Sequence, residues 1–321
     1  MFQLRKSTIL FIRLGVAAFA YGFIIYKLCD YSWHEISSVF QTSLNSSSPV
    51  FLFLFTALMP VNWLIEAFKW KFSLKDFERI GLIEAYKSVW YGIVTGIITP
   101  NRIGEPVGKI ALISKNNRGK ALLVAFWCSA SQQVATVFFG VVGLTIWTYS
   151  SNLKNIVSQN LTAYISVIVL AITALLFFIL KINWFSAFLG KKKITKRFLS
   201  GENLSLNISI KQSFIIIGLS ILRYLIFSSQ FILILQFFGV DSKIMLLFSA
   251  IALTYMATSF IPTFFFSEAG VRTGFALAFI GTLTSNSVAI ISGTILLWVL
   301  NVGLPAAIAT WFPWHSKINQ N

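Results

Sequence analysis

The chain has 321 residues, of which 56% are hydrophobic and only 11% are charged, and its mean hydropathy is +0.77. A soluble domain is about one quarter charged, so this composition excludes a cytosolic enzyme and a disordered segment and indicates an integral membrane protein. The formal net charge is +16. Because the basic residues fall between apolar segments, we expect them to face an anionic membrane surface and not nucleic acid.

The apolar pattern predicts an all-α polytopic membrane protein, since a helix needs about 20 apolar residues to cross the hydrocarbon core. The six segments long enough to span are Ser7–Leu28, Pro49–Trp70, Lys120–Thr148, Leu161–Ile182, Ser213–Phe238 and Asn286–Phe312. Lysine and arginine are concentrated on one side of this arrangement, seventeen against three. The positive-inside rule therefore places both termini in the cytoplasm, with the first segment as an uncleaved signal anchor.

Two further apolar segments, at residues 82–113 and 244–283, are interrupted near their middle by proline, glycine and charged residues. Each half is too short to span, so we interpret both segments as re-entrant helical hairpins. Two ordinary kinked helices in each segment are the alternative. The residues expected to shape the hairpins are Pro100, Gly104, Pro106, Pro262 and Gly270.

The order of two spans, a hairpin and a third span occurs twice, although the two halves share little sequence identity. The first half starts inside and the second outside, so the hairpins enter from opposite faces. This pattern predicts an inverted repeat with a site near the midplane between the halves. Residues 1–148 form the first repeat, residues 149–212 hold the fourth span and a basic cytoplasmic loop, and residues 213–321 complete the second repeat.

Charged residues within apolar segments are the candidates for a site, because a charge at a helix centre costs about 2.5–3.5 kcal/mol and usually faces an interior cavity. These residues are Glu66, Lys69, Lys87, Arg102, Glu105, Lys109, Arg223, Glu268 and Arg272. All except Lys69 and Lys87 are predicted to bind the substrate. The excess of basic groups favours an anion such as a phosphate, and structural salt bridges are the alternative.

Spacing also predicts how some of these charges are paired. Arg223 has no acidic residue close in sequence, so it needs a partner from another helix. Lys69 either pairs with an acid or extends to the membrane surface. Two pairs are expected from helical spacing, namely Glu66 with Lys69 and Glu268 with Arg272.

In the segment 99–109, proline, glycine, acidic and basic residues lie closer together than anywhere else in the apolar segments. Arg102 supplies a bidentate phosphate donor, and the free amides of a helix that starts after the break attract an anion. Glu105 either pairs with Arg102 or accepts a cationic headgroup. A salt bridge that closes the hairpin tip is the structural alternative.

The sequence contains no nucleophile motif, no ATP-binding loop and no cluster of metal ligands. Its only histidines, His34 and His315, lie near opposite ends, and its two cysteines are far apart. We therefore expect neither an enzyme nor a bound cofactor or metal.

The segment Thr99-Pro100-Asn101-Arg102-Ile103-Gly104-Glu105, followed by Gly108-Lys109, resembles the lysylphosphatidylglycerol synthetase transmembrane-region family. These flippase-like proteins are related to the membrane domain of aminoacyl-phosphatidylglycerol synthases. Residues Pro262 through Gly270-Val271-Arg272 resemble a second family signature, and the resemblance covers nearly the whole chain. It implies a two-fold inverted membrane fold with re-entrant hairpins and a role in moving lipids between leaflets. The positions it favours are Arg102, Glu105 and Arg272.

The chain departs from the family pattern at three places, so the resemblance does not identify the headgroup of the substrate lipid. Relatives often have glycines where this chain has residues 264–266, glutamate where it has Thr273, and a Glu-Arg pair where it has Gln132-Gln133. The chain has no counterpart of the aminoacyl-transfer domain of the bifunctional synthases. By itself it is not expected to make a lysyl-lipid.

The leading hypothesis is a translocase of the bacterial inner membrane that moves an anionic phospholipid or lipid-linked headgroup by alternating access. Its expected partner is membrane lipid, with a second copy of the chain or a synthase as further candidates. The alternative is a non-catalytic scaffold for a lipid- or glycan-modifying enzyme, in which the basic segment 191–197 carries the function. An intramembrane lipid-modifying enzyme is disfavoured because the sequence offers no nucleophile or metal cluster.

Overall fold

The computed structural model describes residues 32–46, 49–97, 99, 102–150, 206–263 and 265–310, with a few isolated positions between residues 22 and 26 and between residues 170 and 184. The predicted spans at residues 7–28 and 161–182 lie almost entirely outside the described residues. Pro100, Asn101 and the basic segment 191–197 lie outside them as well.

All regular structure within these ranges is helical. The α-helices are α1 (Trp33–Ser46), α2 (Pro49–Leu74), α3 (Leu82–Ile97), α4 (Glu105–Lys109), α5 (Arg118–Ser150), α6 (Ile210–Phe237), α7 (Ile244–Phe260), α8 (Phe265–Phe279), α9 (Ser287–Trp298) and α10 (Leu304–Thr310). A π-helical turn, Val299–Gly303, joins α9 and α10 into one continuous helical segment.

Four of the described helical segments are long and apolar enough to cross a membrane: Pro49–Leu74, Lys115–Ser150, Ile210–Phe237 and Ser287–Ala309. They match the second, third, fifth and sixth predicted spans to within five residues at each end. Only 33% of the apolar window of α2 is buried within the described part of the protein, as is typical of a helix that also contacts lipid. The chain is therefore a multi-pass helical membrane protein.

Helices α3 and α4 pack closely against each other, so the chain turns back between them. A Cβ at Gly104 would lie 2.6 Å from the carbonyl oxygen of Thr95, and one at Gly108 would overlap the carbonyl oxygen of Tyr91. Only glycine lets the two backbones approach this closely. Pro106 occupies the first turn of α4, as predicted, where its missing N–H has no intrahelical partner to lose.

A second reversal joins α7 to α8, and it is shorter than the sequence suggested. Helix α7 ends at Phe260, two residues before Pro262, and α8 already begins at Phe265. Gly270 therefore lies inside α8 and not in the break, so its predicted role in shaping this turn is wrong. Glu268 and Arg272 occupy the first two turns of the same helix.

Helix α1 is an element that the sequence analysis missed. The Ser32 amide donates to a Glu35 carboxylate oxygen at 2.6 Å, and the Glu35 amide donates to the Ser32 hydroxyl at 3.2 Å, which forms a capping box. The Ser32 amide and the Ser32 hydroxyl both donate to the Glu35 carboxylate, and these two hydrogen bonds hold the pKa of that carboxyl below its ordinary value. The Ser-x-x-Glu spacing before this helix is a signal that predicts its start.

Contacts between elements far apart in sequence bring the described ranges together. Helix α2 packs along α6, α5 packs along α7, and α3 contacts α10. Two apolar clusters result, one around Trp63 and Val89 and the other around Tyr224 and Ile251. Most of the charged residues that the sequence placed in apolar segments share one cavity with residues of both clusters, such as Trp63 and Tyr255.

Candidate functional site

A cavity of about 320 Å³ lies where α2, α5, α6, α7, α8 and the π-helical turn meet. The charged side chains that line it are Glu66, Lys69, Arg102, Glu105, Arg223, Glu268 and Arg272. Lys109 joins the same network through Glu66 and Glu105. The structure thus brings all seven predicted substrate-binding residues into one place. Lys87, in contrast, is exposed on α3.

The first group of charges, which we name the Glu66 cluster, contains Glu66, Lys69, Glu105, Lys109 and Arg223. The Glu66 carboxylate is 2% exposed and accepts from Lys69 Nζ at 2.8 Å, Lys109 Nζ at 2.7 Å and Arg223 Nη1 at 3.1 Å. Lys109 Nζ also lies 2.9 Å from Glu105 Oε1. A carboxylate buried this deeply is tolerated only when cations surround it.

Arg223 finds its partners on α2, as its isolation in the sequence predicted. Its Nε donates to Asn62 Oδ1 at 2.9 Å, and its guanidinium carbon lies 5.0 Å from the centre of the Trp63 ring. Asn62 in turn donates to Asn301 Oδ1 at 3.3 Å. Two hydrogen bonds and an aromatic face therefore fix the orientation of this guanidinium.

Sequence analysis missed Asn301, which lies in the π-helical turn. Its Nδ2 donates to the carbonyl oxygen of Leu297 at 3.2 Å, and its side chain lines the cavity. Single π-helical turns inside longer helices are frequent at functional sites. A lone asparagine in an otherwise apolar span is the signal that marks this position in the sequence.

The second group of charges, which we name the Glu268 cluster, contains Arg102, Glu268 and Arg272. Arg102 Nη2 lies 3.1 Å from Glu268 Oε2, and Arg102 Nε donates to the same oxygen at 3.2 Å. Arg272 Nη2 lies 2.6 Å from Glu268 Oε1, which confirms the predicted i, i+4 pair. Arg272 also sits over the Tyr255 ring, 5.6 Å from its centre. The cluster joins the α3–α4 turn to α8, across 166 positions of sequence.

The sequence left open whether Glu105 pairs with Arg102, and in the structure the two side chains have different partners. Arg102 does not pair with Glu105, because its guanidinium reaches Glu268 while Glu105 contacts Lys109. Arg102 has a φ of 56°, in the left-handed region that L-residues seldom adopt. A backbone held in this region by its surroundings is a frequent feature of functional turns.

The amides of α4 contribute less than the sequence suggested. Helix α4 has five residues, and the Gly104 amide already donates to the Thr99 hydroxyl at 2.7 Å. Side chains, and not this short helix end, therefore supply the charge of the site.

Lys69 is buried among three helices and does not extend to the membrane surface. Its ammonium lies 3.4 Å from the carbonyl oxygen of Cys128 and 3.3 Å from the Ser220 hydroxyl, in addition to its contact with Glu66. The predicted Glu66–Lys69 pair is confirmed. Within the described residues, no group of three or more His, Cys, Asp or Glu side chains is placed to hold a metal.

These features define a multi-pass helical membrane protein with a charged internal cavity. The chain matches the family model for the lysylphosphatidylglycerol synthase TM region over residues 10–309, and it belongs to that family. This confirms the family that the segment 99–109 indicated. No curated protein and no solved structure shows significant similarity to the chain.

Proposed function

We propose that this protein is a lipid translocase that moves an anionic phospholipid or lipid-linked headgroup between leaflets by alternating access. The observation that carries the proposal is the internal cavity, where five basic groups meet three acidic ones. Positive charge in a buried site selects for an anion, since an anion offsets the cost of keeping the excess cations away from water. Family membership supports a lipid-related membrane role.

The size of the cavity supports a headgroup as the bound group. Its volume of about 320 Å³ is at the lower end of the range of about 300–1,000 Å³ for small-molecule sites. That space suits a phosphorylated headgroup, whereas acyl chains would extend outside it into the membrane.

The Arg102–Glu268 pair supplies a link between binding and movement. A phosphate bound to the free N–H groups of Arg102 competes electrostatically with the Glu268 carboxylate for the same guanidinium. Binding then weakens a contact between the α3–α4 turn and α8. A ligand shifts a conformational equilibrium only through such a difference in contacts.

The proposal includes the finer architecture expected from the sequence. The α3–α4 and α7–α8 reversals act as re-entrant hairpins in an inverted repeat with six spans. In support, each half shows a long helix, a reversal and a second long helix: α2, α3–α4, α5 and α6, α7–α8, α9–α10. Interrupted helices at corresponding positions of two halves are typical of transporters.

The cellular setting and the chemistry belong to the same proposal. We place the protein in the bacterial inner membrane with both termini in the cytoplasm, on the strength of its lysine and arginine distribution. The protein works without a covalent step and without a cofactor. Membrane lipid is its partner, and a second copy or a synthase are further candidates.

Leaflet exchange in liposomes tests the proposal. Purified protein is reconstituted with headgroup-labelled anionic lipid, and quenching of the outer leaflet reports exchange. We expect Arg102→Ala and Arg102→Gly to lower the exchange rate at least about ten-fold, and Arg102→Lys to keep part of it. Glycine accepts the positive φ of this position without strain, so loss in both variants assigns the effect to the guanidinium.

Arg79→Gln is the matched control, because Arg79 is exposed and lies outside the cavity lining. It removes the same charge from the protein and should leave exchange unchanged. Full exchange in both Arg102→Ala and Arg102→Gly would contradict the proposal. Absence of exchange by the unmodified protein with any anionic lipid would favour the scaffold function instead.

A further inference from the structure

We infer that the headgroup bound in this cavity carries two negative charges on two phosphate groups. This inference rests on the proposed function and names its substrate class. It follows from how the charges of the cavity are divided between the Glu66 cluster and the Glu268 cluster.

Each cluster has one more positive than negative charge. The Glu66 cluster holds three bases and two carboxylates, and the Glu268 cluster holds two bases and one carboxylate. Every one of the three carboxylates lies within 3.1 Å of a basic nitrogen, which is the geometry of ionised pairs. The cavity therefore has two separate excess charges and not one.

Each cluster also keeps guanidinium donors for a ligand. Arg223 donates from Nε to Asn62 and from Nη1 to Glu66. Arg102 donates from Nε and Nη2 to Glu268. Within the described residues, the remaining Nη of each has no hydrogen-bond acceptor, and the buried Nε of Arg272 has none either. A guanidinium carries five N–H donors, so each cluster has N–H groups for a phosphate oxygen.

A single phosphate with one charge leaves one of the two clusters uncompensated. In an interior of low effective dielectric constant, an unbalanced charge is more costly than at the surface. A headgroup with two phosphates balances both clusters at once. Two-phosphate lipids and free two-phosphate anions share this chemistry, so the experiment must distinguish them.

Competition binding in a nonionic detergent separates these ligands. The lipid probes are short-chain cardiolipin, with two phosphates, and short-chain phosphatidylglycerol, with one. The soluble probes are the deacylated headgroups of the same two lipids. We expect cardiolipin to bind at least about ten-fold more tightly than phosphatidylglycerol, and more tightly than its own deacylated headgroup.

Charge variants test whether the two clusters cause this preference. Arg272→Gln removes the excess charge of the Glu268 cluster, and Arg223→Gln removes that of the Glu66 cluster. Each variant should reduce the preference for two phosphates to less than about three-fold, whereas Arg79→Gln should preserve it. Using one variant from each cluster keeps the test valid if either fails to fold.

The outcomes separate this inference from the proposed function. Equal binding of both lipids, together with exchange of phosphatidylglycerol that depends on Arg102, would overturn the inference and leave the translocase intact. A full preference retained in both charge variants would also overturn it. Equal binding of cardiolipin and its deacylated headgroup would point to a soluble anion. Binding of neither lipid would overturn both proposals.

Discussion

At the scale of single residues, Glu66 is the carboxylate on which three buried or partly buried cations converge. Its carboxylate is 2% exposed and contacts three cations. Glu66→Gln leaves these cations without a shared counter-charge, and breaking a buried ion pair costs about 3–5 kcal/mol. We expect the variant to unfold at a clearly lower temperature than the unmodified protein, measured by thermal unfolding in detergent.

Asp241→Asn is the control for this prediction. Asp241 is exposed, and an exposed ion pair contributes only about 0–1 kcal/mol, so its unfolding temperature should stay near that of the unmodified protein. A Glu66→Gln variant as stable as the control would mean that the three cations do not depend on this carboxylate. The two variants remove the same charge, from a buried site with three cations in one case and from an exposed site in the other.

At the scale of elements, the close approach of α3 and α4 sets the position of Lys109. A Cβ at Gly108 would overlap the carbonyl oxygen of Tyr91 and the hydroxyl of Thr95. Gly108→Ala must therefore push α4 away from α3, at a cost of about 1–3 kcal/mol, and move the neighbouring Lys109 from Glu66. We expect slower lipid exchange and a lower unfolding temperature.

Gly218→Ala is the matched control for this substitution. Gly218 lies within α6, and an added Cβ there meets nothing within 4 Å. Alanine is favoured over glycine in a helix by up to about 1 kcal/mol, so this variant should be at least as stable as the unmodified protein and exchange lipid normally. Equal behaviour of the two variants would show that the α3–α4 contact is not required.

The sequence predicted most of the described helices, but it did not predict which helices contact each other. Hydropathy located the four described spans, because a run of about 20 apolar residues is a local signal. Gly270 was misplaced because glycine inside a membrane helix and glycine at a turn have the same local signature. Helix α1 was missed because it is largely polar, so hydropathy does not detect it and only its capping signal marks it.

The candidate site was predictable as a set of residues but not as a set of pairs. Charges in apolar segments pointed to the cavity residues, since such charges seldom face lipid. The sequence offered only Glu105, three positions away, as a candidate partner of Arg102, whereas the actual partner, Glu268, is 166 positions away. Positions this far apart meet through contacts between distant elements, such as α2 with α6 and α5 with α7, and no local pattern in the sequence predicts those contacts.

At the scale of the whole molecule, alternating access predicts that the cavity opens to one side of the membrane at a time. Ser129 lines the cavity on α5, and Ser150 is exposed at the end of the same helix. A cysteine is placed at each position in turn, after Cys29 and Cys128 are replaced by serine. An impermeant thiol reagent is then applied to right-side-out and inside-out vesicles.

Without added lipid, we expect the Ser129→Cys protein to react with the reagent from one side of the membrane. When anionic lipid is supplied, its reactivity should fall on that side and rise on the other. Lipid has this effect because it binds more tightly to one of the two arrangements of the halves. The Ser150→Cys protein should react at a constant rate. If the reactivity of Ser129→Cys instead rises on both sides together, or stays constant on both, alternating access is contradicted. A static cavity or an open passage would give such a result, because neither closes on one side when it opens on the other.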